Sequence, residues 1–409
     1  MVRPHDVQRA ADAVAGVARE TPVLPAKRLG RQLGGEIWLK LENLQVTGSF
    51  KVRGAINRLS ALTEDECAAG VIAASAGNHA QAVAWAARKL GTSATLFMPA
   101  EAPLAKVAAV REYGGEVRLV DGLLEEAFAE ALAEAEATGR PFIHAFDDPA
   151  VIAGQGTVAL ELLEQVPNIA TVIVPIGGGG LISGIATALR AAVPGVRVVG
   201  VQSETVAPYA GIEPSAAPST ICDGIAVKKP GLITGPLVGE LVDEIVTVSD
   251  DETAQAMVHL LERSKQVVEG AGAVGVAAVM QGRARPAEEG ATVIVLSGGN
   301  VDAALLVEAI RLGETAAGRR MILATKIPDR PGGLAALLAL VAQHGANVID
   351  VEHLRDGMDL HLRETAVQLV LQTRGPEHDQ QILTAVRAAG YDPSSSPEPP
   401  RGVAGSGVR

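Results

Sequence analysis

The chain has 409 residues, of which 48% are hydrophobic, 2% aromatic and 20% charged, and its formal net charge is −12. That length exceeds one ordinary core and predicts more than one domain, with cores built from Val, Leu, Ile and Ala. The acidic balance and the lack of any basic run exclude a nucleic-acid backbone as partner, and the short, glycine-broken apolar runs exclude a membrane span. Cys67 and Cys222 form neither a CxxC pair nor a metal spacing, which argues against a disulfide framework and a zinc site. No export-type apolar segment is present, so a reducing cytoplasm is the expected location.

In chain order, short apolar runs alternate with amphipathic stretches. Residues 71–74, 95–98, 116–120, 171–176, 196–202 and 292–296 predict strands, and residues 80–90, 104–113, 123–138, 151–164, 181–192 and 251–262 predict helices. Such alternation predicts an α/β fold of parallel sheets, whose ligands sit beyond the carboxyl ends of the strands. After residue 315 the register changes. Strands over 319–325, 347–355 and 365–373, with helices over 333–344 and 379–390, give a βαββαβ-like order around the turn Asp329-Arg330-Pro331-Gly332. From Pro393 onward the chain lacks the apolar residues to fold and is expected to be disordered.

Four stretches carry chemistry. Lys51 follows Gly48-Ser49-Phe50, and a lysine buried among such residues loses ammonium solvation, so its free amine becomes a nucleophile for an aldehyde. Pyridoxal phosphate (PLP) is the cofactor that supplies such an aldehyde. Ser75-Ala76-Gly77-Asn78-His79 follows one predicted strand, and Gly177-Gly178-Gly179-Gly180 follows another and opens a helix at Leu181. Four glycines cannot be strand or helix interior, so they form a turn with outward N–H groups at a helix N-terminus, which suits a phosphate. A dinucleotide loop needs glycine at the first, third and sixth positions. Here the sixth position is Ile182 or Ser183, and Gln202 stands where the ribose-binding acid belongs. The fourth stretch is Ser297-Gly298-Gly299-Asn300.

Together with residues 147–156, 220–227 and 267–275, these stretches resemble, in order, the threonine dehydratases (threonine ammonia-lyases), fold-type II PLP enzymes of the tryptophan synthase β-like group. The resemblance implies a catalytic domain over residues 1–315 with a smaller subdomain of about 46–142 inserted. It also implies an α+β, ferredoxin-like ACT regulatory domain over 319–392, in which Arg330-Pro331-Gly332 and Asn347 are typical, and a disordered tail over 393–409. Lys51 would bind PLP covalently and act as the base at the substrate Cα. Phe50 would pack on the cofactor ring, Asn78 would bond its 3-hydroxyl, Ser297 would face its pyridine nitrogen, and Gly177, Gly178, Gly179, Gly180 and Leu181 would hold its phosphate. Ser75, Ala76, Gly77, Asn78 and His79 would grip the substrate carboxylate.

The expected reaction eliminates water and ammonia from L-threonine, and from L-serine, to give 2-oxobutanoate or pyruvate. A serine or threonine racemase is the alternative, and it needs an acid on the opposite face from the lysine. Racemising relatives place serine where this chain has Ala76. A non-catalytic amino-acid sensor is a further alternative. Glu269 is read either as an active-site neighbour or as the cap of the next helix. The family's divalent-cation carboxylate falls on Gln202, beside Glu204, so no metal site is assigned. An amino-acid effector at the ACT domain and a homodimer or homotetramer complete the expectation.

Overall fold

The computed structural model describes residues 2–215, 218–354, 360 and 363–393. The chain divides into two compact units, residues 1–306 and 307–409.

The first unit begins with α1 (Pro4–Val14), β1 (Val23–Pro25), α2 (Lys27–Leu33) and β2 (Glu36–Leu41). There follow α3 (Lys51–Ser60), α4 (Glu64–Ala69), β3 (Val71–Ala74), α5 (Asn78–Leu90), β4 (Ala94–Pro99), α6 (Leu104–Glu112), β5 (Glu116–Val120) and α7 (Leu124–Thr138). The chain then runs through α8 (Pro149–Gln165), β6 (Ile169–Pro175), α9 (Gly180–Ala192), β7 (Arg197–Ser203), α10 (Thr234–Leu241), β8 (Glu244–Val248), α11 (Asp250–His259), α12 (Gly270–Met280) and β9 (Ala291–Leu296). Local chemistry sets many boundaries. Asp148 caps α8 by accepting the N–H groups of Ala150 and Val151, with Pro149 in the first helical position, and Thr63 with Glu66 forms a capping box on α4.

Two sheets result. The larger has the order β1-β2-β9-β6-β7-β8, parallel except for β1, and the smaller is the parallel set β3-β4-β5. Because β9 inserts between β2 and β6, the segments that leave the carboxyl ends of β2, β6 and β9 emerge side by side. Helices α8 and α9 cross at glycines: a Cβ on Gly184 would lie 2.3 Å from the Ile152 carbonyl oxygen, so any side chain there would force them apart. Helix α11 ends before the predicted residue 262. The chain passes into a π-helical turn over Leu260–Ser264 and closes at Lys265 with φ of 58°.

The second unit contains β10 (Arg320–Pro328), α14 (Gly333–Gln343), β11 (Asn347–Leu354), β12 (Glu364–Gln372) and α15 (Pro376–Ala388), and α13 (Ala303–Ala316) carries the boundary between the units. The sheet is antiparallel, in the order β10-β12-β11. Met321, Leu323 and Ile327 alternate inward and meet Leu337, Val341, Ile382 and Val386 from the two helices. The described order is βαββα; no strand follows α15 among the described residues, so the closing strand of the predicted pattern is not found there. The expected disordered tail lies, from residue 394 on, outside the described residues, as does residue 355 at the predicted end of β11.

Helix α3 is fastened from below by buried charge. Arg53 forms a two-pronged pair with Glu42 (2.8 Å to each carboxylate oxygen) and also bonds Glu161, which in turn holds Lys40; Lys40 donates to the Thr21 carbonyl at 2.7 Å. Burial alone would raise the Glu42 carboxyl, but the charge and hydrogen bonds of Arg53 outweigh it and hold Glu42 below its ordinary value. Removing one member of such a set leaves a desolvated charge behind. Glu42→Gln is expected to cost about 3–5 kcal/mol in urea unfolding, and a loss under about 1 kcal/mol would show that the network does not hold α3.

Candidate active site

A cavity of about 240 Å³ opens at the carboxyl ends of β3, β6 and β9, between the two sheets of the first unit. Lys51 is the first residue of α3 and enters this space half-buried, with Nζ donating to the Ala145 carbonyl at 2.9 Å and lying 5.2 Å from the centre of the Phe50 ring. Burial pushes its ammonium down to about 8, and the opposing pull of Glu269 is smaller. The backbone fixes where α3 starts. Phe50 N–H donates to the Ser297 carbonyl at 3.1 Å, and Ser49 pairs with Gly298, so the lysine is tied to the end of β9.

The glycine run fills the turn from β6 to α9, and the space around it leaves no room for side chains. A Cβ at residue 178 would lie 2.3 Å from the Phe146 ring, and one at residue 179, where φ is +90°, would lie 2.6 Å from the Tyr209 hydroxyl. Tyr209 and Thr234 hydroxyls donate to the Gly178 carbonyl at 3.0 and 2.6 Å, which turns that oxygen away and leaves amides on the other side. Among the described residues, the N–H groups of residues 177–182 donate to no protein acceptor. A helix N-terminus with such unpaired donors is a cradle for a phosphate, so the residues present fit the cofactor.

Ser75 to His79 link β3 to α5. Ser75 Oγ accepts the Gly77 N–H at 3.1 Å, and the first turn of α5 presents backbone donors to the cavity. Asn78 donates to Glu269 Oε1 at 2.7 Å and accepts from Asn300 Nδ2 at 2.8 Å, which leaves its second amide hydrogen for a ligand. Ser297 closes the wall at the end of β9, its hydroxyl 3.5 Å from the Ala271 carbonyl. The cavity thus brings together Phe50, Lys51, Ser75, Ala76, Gly77, Asn78, His79, the four glycines, Leu181 and Ser297. His79 meets the cavity with its backbone. The His79 ring is 3% exposed, its Nε2 bonds the Ile143 carbonyl at 2.8 Å, and burial pushes its pKa down to about 3, so the imidazole stays neutral and turned into the protein. Only its backbone N–H remains for a substrate.

Glu269 belongs to the cavity. It stands at the N-cap position of α12, yet its side chain makes no cap bond; it faces Asn78 instead. Burial and the nearby Asp223 raise its carboxyl to about 7 against the pull of Asn78, Lys106 and Lys51. Gln202, at the end of β7, is buried and accepts the N–H groups of Tyr209 and Ala210, so its side chain buttresses the glycine turn. Sequence reasoning missed Lys106, which pairs with Asp223, and His144 to Phe146, which form the wall opposite the lysine. The Asp148-Pro149 helix start was a usable signal for where that wall ends; a lone histidine four residues earlier was not.

A family model described as pyridoxal-phosphate dependent enzyme matches residues 14–298. The L-threonine ammonia-lyase of Thermotoga maritima is 44% identical over 398 residues, covering 96% of this chain and 99% of that protein. Among solved structures, a threonine deaminase from tomato, Solanum lycopersicum, in its processed form superposes with a TM-score of 0.70 at 34% identity, covering 76% of this chain and 87% of that one. Maize serine racemase superposes with a TM-score of 0.71 at 36% identity, covering 76% and 97%. Among the described residues, no helix is long and apolar enough to cross a membrane.

The depressed lysine has a direct kinetic signature. An amine with a pKa near 8 is nucleophilic above that pH, whereas an ordinary lysine titrates near 10.4. Capture of PLP by the cofactor-free protein, followed by visible absorbance, is expected to speed up as pH rises through about 8 and then level off. A rate still climbing tenfold per pH unit at pH 9.5 would contradict a desolvated Lys51.

Proposed function

The chain belongs to the family of pyridoxal-phosphate-dependent enzymes, and on that premise we propose that it is a cytoplasmic L-threonine ammonia-lyase that also accepts L-serine. The observation that carries this reading is Lys51, a buried amine held on a backbone carbonyl beside an amide cradle. PLP, when bound, supplies the electron sink for charge developing at the substrate Cα. The rest is the chain's work. Lys51 would hold the cofactor covalently, and its free amine would take the α-proton; its lowered pKa suits it as a base near neutrality.

The N–H groups of Gly177 to Leu181 would hold the phosphate, Phe50 would pack on the ring, and Asn78 would offer its remaining amide hydrogen to the ring hydroxyl. Ser297 would face the ring nitrogen as a neutral partner, which would moderate charge delocalisation and favour elimination. The Ser75 to Asn78 loop and the His79 N–H take the carboxylate. Loss of the β-hydroxyl as water and hydrolysis, which releases ammonia, then give 2-oxobutanoate from threonine and pyruvate from serine. We read residues 319–392 as an ACT-type regulatory domain for a small amino acid, with isoleucine and valine the first candidates because isoleucine is made from 2-oxobutanoate. A homo-oligomer accompanies that reading.

Purified protein is expected to form 2-oxobutanoate from threonine, with turnover altered about 5- to 150-fold in apparent affinity by isoleucine or valine. Borohydride reduction should fix the pyridoxyl group on Lys51, and Lys51→Ala should abolish turnover. A label on another lysine, or full activity in that variant, would overturn the catalytic assignment; insensitivity to every small amino acid would remove the regulatory one.

A racemase reading is weakened by Ala76, whose methyl group lines the cavity without a proton to give. Elimination is therefore expected to outrun racemisation by far in the unaltered protein. Ala76→Ser should raise D-serine formation measurably, since a donor need only reach hydrogen-bond distance of Cα. D-serine and pyruvate formed at similar rates by the unaltered protein would reverse the choice.

A further inference from the structure

His144 lines the cavity, yet neither the cofactor cradle nor the carboxylate loop accounts for it. Its Nδ1 accepts two backbone N–H groups, from Phe146 at 3.2 Å and Asp147 at 2.8 Å. That double acceptance fixes the tautomer: Nδ1 carries no proton, so Nε2 must. Nε2 is neither sealed from the cavity nor bonded to any protein acceptor among the described residues. The ring is also held in place, with edge-on contacts to Phe128, Phe142 and Phe146 at centroid distances of 5.6, 6.2 and 4.7 Å. A built donor with no partner therefore faces the cavity one residue from the carbonyl that holds Lys51 Nζ.

We propose that His144 Nε2–H is the specificity-determining donor for the β-hydroxyl of the substrate. The assignment rests on the ammonia-lyase reading above. Lys51 works at Cα, so the β-substituent lies one bond further, within reach of the wall that Ala145 and His144 share. Burial, with Lys51 adding to it and Asp147 opposing, lowers the imidazole below its ordinary pKa and keeps it uncharged. An uncharged donor does not compete with the loop for the substrate carboxylate. The hydrogen bond positions the oxygen and stabilises the charge that gathers on it as the Cβ–O bond breaks; His144 keeps its own proton, and the oxygen leaves as water with the proton that Lys51 took from Cα. A site built to bond a hydroxyl discriminates strongly against substrates that lack one, and surrounding aromatic rings strengthen the bond by excluding water.

The test compares leaving groups. β-Chloro-L-alanine undergoes the same elimination but releases chloride, which needs no hydroxyl donor. In His144→Asn the amide oxygen can still accept the N–H groups two and three residues on, while the distal donor is gone. In the PLP-loaded protein this variant is expected to lose about 100-fold in kcat/KM on threonine and serine and less than about threefold on β-chloro-L-alanine, with bound PLP and its absorbance unchanged. Equal losses on both substrates, or no loss on either, would overturn the assignment of His144 while leaving the ammonia-lyase reading intact. An unaltered protein that eliminates chloride but never dehydrates would overturn both. Should the Asn variant fail to retain PLP, His144→Phe, which keeps a ring but no donor, decides: a threonine-to-chloroalanine ratio lowered about 100-fold supports the assignment and an unaltered ratio refutes it.

Discussion

Arg53 sits wholly inside the protein between two carboxylates, Glu42 and Glu161, and neither it nor Glu42 has any contact with solvent. Charges so desolvated are tolerable only in near-ideal geometry, because each would cost several kcal/mol unpaired. The consequence is positional rather than stabilising in the net. Glu42 follows β2, Glu161 lies on α8 and Arg53 is two residues beyond Lys51, so the requirement that these charges meet fixes the start of α3. Phe50, Ser49 and the end of β9 then set the lysine from above. The reactive amine is thus placed by electrostatics acting about half a helical turn away, while its own surroundings are free to be apolar.

Those surroundings act on two groups at once. Lys51 is pushed down to about 8 and Glu269 up to about 7, each by loss of water. Near neutral pH the pair therefore adds little net charge to the cavity, whose remaining directional character comes from dipoles: the amides of residues 177–182, the first turn of α5, and the hydroxyl of Ser297. Fixed dipoles need no rearrangement when an anionic ligand arrives, which is the usual advantage of such a lining over mobile charged side chains.

The catalytic frame was legible where sequence has no alternative conformation. Four consecutive glycines had to be a turn, and the flanking strand and helix lay within two residues of their predicted ends. Other parts were hidden for definite reasons. β2 contains Lys40, which reads as surface until Glu161 and Gln165, more than a hundred residues away, supply its buried partners. Helix α12 is buried on every side, so it shows no 3.6-residue period, and its three glycines argue against a helix at all. The turn of the His79 ring toward Ile143 was hidden because it depends on the helix that begins at Asn78. His144 had no signal, since its role depends on the two amides that follow it.

Helix α3 packs on α8, in the layer of the large sheet, and on α5, in the layer of the small one, but its charged anchors, Glu42 and Glu161, belong to the large-sheet side alone. The loop of residues 75–79 is carried by the small sheet. The charges that anchor α3 and the loop of residues 75–79 therefore hang on different sheets, with α3 packed against both layers. The amine and the loop amides are thus supported independently, the first by buried charge beneath α3 and the second by the end of β3 and the first turn of α5.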